Sequence, residues 1–556
     1  MLKKLPRIVI SAPKSGSGKT LVSISLMGAF SARGKSLRAF KCGPDYIDPM
    51  FHKKILGITS KNLDLFFTDE AQTRTIFAED NTSELSMIEG VMGLYDGSGG
   101  ISEEASTYHL AKTLQAPVIL VIDAKGMGLS LVAEIQGFLG MDTEGLIKGV
   151  ILNNISKSFF DQIKPVIEEK CGVFVLGYFP FQKDIEIESR HLGLKLPDEI
   201  QDIKEMAAKA AEKIAKTVDL EAILKIAEAS EELSFDENLC LRGNCTENAP
   251  RVRIAVAKDE AFCFYYQDNL KLLEFFGAEI VEFSPTQDKS LPADIDGLIF
   301  GGGYPEFYAE KLSQNTEIME EIREKIAAGI PSLAECGGFM YLHKSLKNQS
   351  GNSYQMTGVI DGDTYYTGKL VRFGYITVKT KTEKGQGESF FNGSIKGHEF
   401  HYFDSTHNGS SFTAVKTSVK EYDLGISGKN HFWSFAHLYY PSNPDFARNF
   451  IEQCHKYKEE KMNQTQEDKN FSHKFFQNTA CKNFPCHKNV PENDFNCLFC
   501  FCPLYCLGKN CGGNFIYTEK GIKSCINCNF PHLRQNYDQI IEKTKLSIMH
   551  ILSTDK

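Results

Sequence analysis

A chain of 556 residues is too long for one hydrophobic core; at ~100–200 residues per domain, about three to four domains are expected. Its 42% hydrophobic content makes most of it globular, and a net charge of -9 excludes a general nucleic-acid binder, which needs a basic face. The basic N-terminus runs directly into Ile8-Val9-Ile10 with no room for a signal peptide, and no run of ~18 apolar residues predicts a membrane span, so a cytoplasmic protein is expected.

The first strand, Arg7-Ile8-Val9-Ile10, leads into Ala12-Pro13-Lys14-Ser15-Gly16-Ser17-Gly18-Lys19-Thr20, and an amphipathic helix is predicted from Leu21 to Arg33. A glycine-containing loop between strand and helix points backbone N–H groups at a phosphate from the positive end of the helix. Lys14 to Thr20 are therefore the predicted ATP-binding loop, with Lys19 on the β/γ-phosphates and the Thr20 hydroxyl on Mg²⁺. Pro13 stands where the first glycine of this motif usually lies, as in the dethiobiotin-synthetase and partition-ATPase branch that the loop resembles.

Further strands are predicted at Leu37–Cys42, Ser86–Glu89, Pro117–Asp123, Lys148–Asn153 and Val173–Gly177, between helical segments such as Leu129–Phe138 and Phe159–Glu169. This alternation predicts an α/β fold with a parallel sheet covered on both faces and ligands at the carboxyl ends of its strands. Mg²⁺ takes one or two carboxylates beside nucleotide phosphates. Glu89, which ends an apolar strand beside glycines, is the first candidate and Asp45 the second. Asp96 is a metal-shell or substrate-orienting candidate, and Asp45 and Asp48 also suit turn chemistry around Pro44 and Pro49.

The stretches Lys41-Cys42-Gly43-Pro44-Asp45-Tyr46-Ile47-Asp48-Pro49, Glu89-Gly90-Val91-Met92-Gly93-Leu94-Tyr95-Asp96-Gly97 and Arg190-His191-Leu192-Gly193-Leu194 resemble the amidases of corrinoid synthesis that make a,c-diamides. The resemblance implies that ATP phosphorylates a side-chain carboxylate of a corrinoid substrate and that ammonia displaces the phosphate. It also implies substrate contacts at Tyr46, Ile47, Asp48, Asp96, Arg190 and His191. Cobyrinate, hydrogenobyrinate and nickel-sirohydrochlorin remain open as the macrocycle, and a partition-type ATPase without glutaminase activity is a remote alternative.

An acidic helical linker is predicted over 221–250, after which Arg251–Ala257 starts a second α/β domain reaching to 455. Strand Asp296–Phe300 runs into Gly301-Gly302-Gly303-Tyr304, and Pro331–Glu335 leads into Cys336-Gly337-Gly338. A cysteine at a strand-to-helix turn is a nucleophile by placement, its thiolate favoured at the helix N-terminus. Backbone N–H groups of Gly337 and of the Gly302–Gly303 loop are the predicted oxyanion donors, and His437 the base. The Cys336/His437 pair resembles class I glutamine amidotransferases of the corrinoid branch, which implies glutamine as nitrogen donor. Relatives often carry a carboxylate two residues past the histidine; here Tyr439 stands there, so a dyad is expected, with glutaminase activity that depends on substrate. Gly397-His398-Glu399-Phe400-His401-Tyr402 also matches that branch. Strand alternation separates His398 from Glu399 and His401, favouring a substrate or inter-domain role over a metal.

A flexible linker is predicted over 456–475 and a small domain over 476–556, closed by a helix from Gln535 to Ile551. Nine of the 16 cysteines fall here: Cys481, Cys486, Cys497, Cys500, Cys502, Cys506, Cys511, Cys525 and Cys528. The Cys497/Cys500 and Cys525/Cys528 spacings bring sulfur pairs onto a tetrahedral ion, either Zn²⁺ or an iron–sulfur cluster. The stretch resembles a cysteine-rich small domain found on corrinoid-pathway proteins, which carries no known activity. Oligomeric state is open, a homodimer included.

Overall fold

In the computed structural model the described residues are 1–181, 189–190, 193–194, 203–239, 251–381, 391–418, 420–470, 472–488 and 490–554. Among them no helix is long and apolar enough to cross a membrane.

Seven strands form the first sheet: β1 (Arg7–Ser11), β2 (Leu37–Cys42), β3 (Ser60–Leu63), β4 (Leu85–Glu89), β5 (Val118–Asp123), β6 (Ile147–Asn153) and β7 (Phe174–Phe179). Their order is β3-β2-β4-β1-β5-β6-β7, and every pairing is parallel. All five residues of β1 and of β4 are buried, because helices cover both faces and both faces must then be apolar. Val9, Ile88 and Leu120 point into one core layer, and Ile8, Met87 and Val121 into the other. β1 lies between β4 and β5, where the strand order reverses, so the loops after β1, β2 and β4 open onto one crevice.

β3, Ser-Lys-Asn-Leu, is the strand that the sequence reading does not predict: it has four residues, two of them Lys61 and Asn62. The region 221–250, expected as a connector, begins inside this domain. Helix Leu220–Glu228 buries Leu220, Ile223 and Ala227 against it, and Leu233–Ser234 pairs with Leu2–Lys3.

The second domain carries a six-stranded sheet in the order Ala278–Phe283, Val252–Ala257, Gly297–Phe300, Ser332–Glu335, His431–Ser434, Ile426–Ser427, all parallel but for the last pair. Beside it lies a five-stranded antiparallel sheet in which His437–Leu438 pairs with Gly397-His398 of strand Ser394–His401. One segment, His431 to Leu438, therefore serves both sheets and carries His437 past the end of the parallel one.

Met1–Tyr457 forms one compact unit and Lys458–Lys556 a second. Within 456–475, expected to be a flexible linker, helix Pro444–Asn470 continues unbroken to Asn470. The second unit is built of short turns, a two-strand hairpin (Ile516–Tyr517 with Lys523–Ser524) and a closing helix, Tyr537–Thr554.

Candidate active site

The loop after β1 turns through Gly16 and Gly18, both at positive φ, and enters helix α1 (Lys19–Ala32). A side chain at Gly18 would strike the Asn153 amide at 2.2 Å, and that amide donates to the Ser17 carbonyl at 2.9 Å. Glycine is thus needed here for close approach as well as for φ. Lys19 is buried, with Nζ donating to the carbonyls of Lys14 (3.1 Å) and Met92 (2.5 Å). Burial, then the nearby charge of Lys41, pushes its ammonium down to about 8.

Below the loop lies a buried charge cluster. The Thr20 hydroxyl donates to Glu89 Oε1 at 2.6 Å, Lys41 Nζ lies 3.3 Å from the same oxygen, and His52 Nε2 lies 3.2 Å from Oε2. Burial alone would raise the Glu89 carboxyl; Lys41, His52 and Thr20 outweigh it and hold Glu89 well below the usual carboxylate range. Lys41 also meets Asp48 Oδ2 at 2.5 Å. Two carboxylates share one ammonium, and Asp48 is the one pushed up, by burial and then by Asp45 and Glu89. Lys41 and His52 are the site residues that sequence reading misses; the signal available was a lysine at the buried end of β2.

Asp45 Oδ1 accepts from the Ile47 N–H at 2.8 Å, which starts helix α2 (Ile47–Leu56), so this aspartate does build the turn. Asp96 Oδ2 accepts from the Gly93 N–H at 2.9 Å and braces the loop after β4. Arg190 lies in a strand pair, Ser189–Arg190 with Gly193–Leu194, and His191 lies outside the described residues.

Tyr46 and Ile47 are not at an open mouth. Both are buried where the two domains meet: Ile47 packs with Tyr304 and Phe264, while Tyr46 stacks on Phe264 at 5.0 Å and 5° between planes. The Tyr46 ring centroid lies 4.5 Å from that of Tyr266, 5.3 Å from His437 and 5.8 Å from His398. Polar ties hold the same interface. Lys61 of β3 reaches Asp268 at 2.9 Å, Tyr439 donates to Asp268 at 3.0 Å, and Tyr375 donates to Asp64 at 2.8 Å. Tyr439, at the position often held by a catalytic carboxylate, thus serves the interface and stacks on Phe67 at 5.0 Å.

Cys336 sits at a strained elbow, φ 47° and ψ −102°, between Glu335 and the short helix Gly337–Leu342. Its N–H donates to the Ser434 carbonyl at 2.8 Å, tying the elbow to the strand that leads to His437. A Cβ on Gly302 would lie 2.3 Å from His437 Cε1, and one on Gly337 would lie 3.1 Å from the Gly303 nitrogen. Glycines therefore let the imidazole, the elbow and the Gly303 N–H converge. The thiolate expected from the helix terminus is overridden: burial first, then Glu306, pushes the Cys336 thiol well up. Burial, then His398 and His401, holds His437 well below its ordinary value, and its Nδ1 has no hydrogen-bond partner among the described residues. Both shifts favour the uncharged forms, the thiol of Cys336 and the neutral imidazole of His437.

The three groups at 398–401 divide as alternation predicts. His398 faces Tyr266, Nδ1 to hydroxyl 3.2 Å, and stacks with His437 at 4.9 Å. Glu399 and His401 stay together at 3.6 Å.

In the small domain none of the nine cysteines forms a disulfide: Cys481, Cys486, Cys500 and Cys506 are exposed, Cys497, Cys502 and Cys525 half-buried, Cys511 and Cys528 buried. A Cβ on Gly513 would lie 2.6 Å from Cys528 Sγ and 3.9 Å from Cys511 Sγ, so those two sulfurs flank one point. Cys486 sits instead with His487 and His532, two residues to which cysteine spacing gives no pointer.

A phosphate-binding loop over a Thr–Glu–Lys cluster, joined through one aromatic interface to a cysteine elbow with its histidine, defines a glutamine-hydrolysing amidotransferase ligase. Comparison with known proteins agrees. Residues 8–194 match the CobQ/CobB/MinD/ParA nucleotide binding domain, 253–444 the CobB/CobQ-like glutamine amidotransferase domain, and 472–555 the cysteine-rich small domain. The chain is 40% identical to the cobyrinate a,c-diamide synthase of Picrophilus torridus over 81% of its own length and 99% of that protein's. It is 40% identical to that of Clostridium tetani and 38% to that of Clostridium acetobutylicum, each over 80% of this chain and 99% of the relative. The chain belongs to the cobyrinate a,c-diamide synthase family.

Proposed function

We propose that this chain amidates the a- and c-side-chain carboxylates of cobyrinate, using ATP to activate each carboxylate and glutamine, or free ammonia, as nitrogen donor. The observation that carries the reading is Tyr46: it leaves the nucleotide-site loop beside Asp45 and Asp48 and ends 5.3 Å from the ring of His437. A carboxylate resists attack by ammonia until one oxygen becomes a leaving group, and γ-phosphoryl transfer supplies that by forming a carboxyl phosphate.

The residues present suit a nucleotide. Lys19 holds its ammonium on carbonyl oxygens that a phosphate would replace, and the Thr20 hydroxyl and Glu89 carboxylate stand together as hard oxygen ligands. Thr20 and Glu89, with Asp45, would hold Mg²⁺, which supplies charge neutralisation between phosphate oxygens. Asp96, Arg190 and His191 remain proposed partners for the substrate's carboxylates. At the second centre, Cys336 Sγ attacks the glutamine carboxamide carbon, His437 takes the thiol proton and returns it to the departing ammonia, and water then releases glutamate. The Gly303 and Gly337 N–H groups hold the oxyanion. The cysteine-rich domain contributes metal-dependent folding and no step of this reaction.

The deciding assay supplies ATP and glutamine with cobyrinate, hydrogenobyrinate or nickel-sirohydrochlorin. Cobyrinate is expected to yield ADP and diamide; diamide from only one of the others would reassign the substrate and keep the chemistry.

Tyr46 gives a second test. Offset and edge aromatic contacts contribute ~0.5–1.5 kcal/mol each, so the ring is held firmly between the centres. Tyr46→Ala opens a side-chain-sized gap there, and glutamate formed per ADP is expected to rise severalfold as ammonia escapes, while Tyr46→Phe keeps the wild-type ratio. An unchanged ratio at full synthetic rate in the alanine variant would remove Tyr46 from any coupling role.

A further inference from the structure

The cysteine-rich domain contains a Cys/His cluster that the cysteine pattern alone does not announce. Ligand atoms of Cys486, His487 and His532 all lie within 4.8 Å of one another, and Cys486 Sγ is 3.3 Å from His487 Nδ1. Two ligands on one tetrahedral zinc ion, at Zn–S ~2.3 Å and Zn–N ~2.0 Å, stand about 3.5 Å apart. The Cys486–His487 pair already has nearly that spacing.

The orientation of the two imidazoles is the stronger observation. A metal-bound histidine characteristically spends its other ring nitrogen on a carbonyl or carboxylate, which fixes the tautomer and aims the lone pair. Both rings do this. His532 Nδ1 lies 3.0 Å from the Asn496 carbonyl, leaving Nε2 as the lone pair, and His487 Nε2 lies 3.4 Å from the Cys525 carbonyl, leaving Nδ1 as the one that faces Cys486. His532 is buried, stacked on Phe495 at 4.8 Å with 20° between planes, and its ring centroid is 4.3 Å from that of His487. A buried, carbonyl-anchored imidazole has little freedom to turn away.

We propose that Cys486, His487 and His532 are three of the ligands of one zinc ion. Cys511 and Cys528, whose sulfurs flank Gly513, lie outside this cluster. A zinc ion held by the cluster adds folding energy that so small a core lacks. This inference extends the metal reading of the cysteines and is independent of the amidation reaction.

The experiment is zinc K-edge absorption spectroscopy on the full-length wild-type chain, with metal analysis and the His487→Gln/His532→Gln double variant alongside. Expected are outer-shell imidazole scattering in the wild type, and loss of one zinc per chain and of that scattering in the variant. Wild-type zinc bound by sulfur alone, iron with acid-labile sulfide in place of zinc, or a variant that keeps its full zinc would each overturn the proposal. If the variant fails to fold, the wild-type spectrum decides.

Discussion

Cys336→Ala is expected to lower glutamine-dependent synthesis by on the order of 10⁶-fold, to background, while ammonia-supported synthesis keeps its wild-type rate. The first half follows from chemistry: alanine offers no nucleophile, and no other thiol is placed on the elbow between the Gly303 and His437 loops. The second follows from position. Cys336 follows a strand of the second domain's parallel sheet, whereas Lys19 and Thr20 begin α1 and Glu89 ends β4 in the first domain, so deleting one sulfur leaves the synthetase charges untouched. Measuring ADP and amide with each nitrogen donor checks both. Loss of both activities in a folded variant would contradict separate centres for releasing and using ammonia.

Proton transfer from Cys336 to His437 creates a thiolate and an imidazolium, and burial opposes both; Glu306 opposes the first, and His398 and His401 oppose the second. Among the described residues no carboxylate accepts from His437 Nδ1, and Tyr439, two residues on, donates to Asp268. Burial and these neighbours thus disfavour the ion pair. Tyr46, which leaves the nucleotide-site loop of the first domain, has its ring centroid 5.3 Å from that of His437, and His398 of the second domain stacks on His437 at 4.9 Å.

Much of this was legible in the sequence because the decisive features are local. The phosphate loop acts through its own backbone, and the elbow needs only a strand, a cysteine and two glycines. What the sequence hid depends on contacts between distant segments. Lys41 and His52 meet Glu89 across 48 and 37 residues, and neither looks unusual in its own stretch. β3 is not predicted because three of its four residues are polar, yet two of those are the useful ones: Lys61 ties the domains through Asp268, and Asn62 donates to the Gly43 and Asp45 carbonyls. Tyr46 and Ile47, expected at an open mouth, are covered by Phe264, Tyr266 and Tyr304 of the second domain, a cover that their own stretch does not announce. The helix-terminus rule for the Cys336 thiolate was sound and was outweighed, as desolvation of a fully buried thiol exceeds what the end of a six-residue helix contributes.

Replacing Lys19 carries the other large effect, and it has a pH signature. Lys19→Met should stop synthesis from glutamine and from ammonia alike, with a fall of ~10²–10³-fold or more, since it removes the charge placed to stabilise the moving phosphoryl group. In the unliganded site Lys19 titrates near 8, lowered by burial and by Lys41. A bound triphosphate would raise that value, because an opposite charge favours the ammonium. The sign follows: below pH 8 the ammonium is already present and nucleotide affinity is flat. Above it, binding must take up a proton, and affinity falls about tenfold per pH unit until the pKa of the complex is reached. Calorimetry at pH 8.5 in two buffers of different ionisation enthalpy should report net proton uptake in the wild type and none in Lys19→Met. Uptake that persists in the variant would move the titration to another group and free Lys19 of this role.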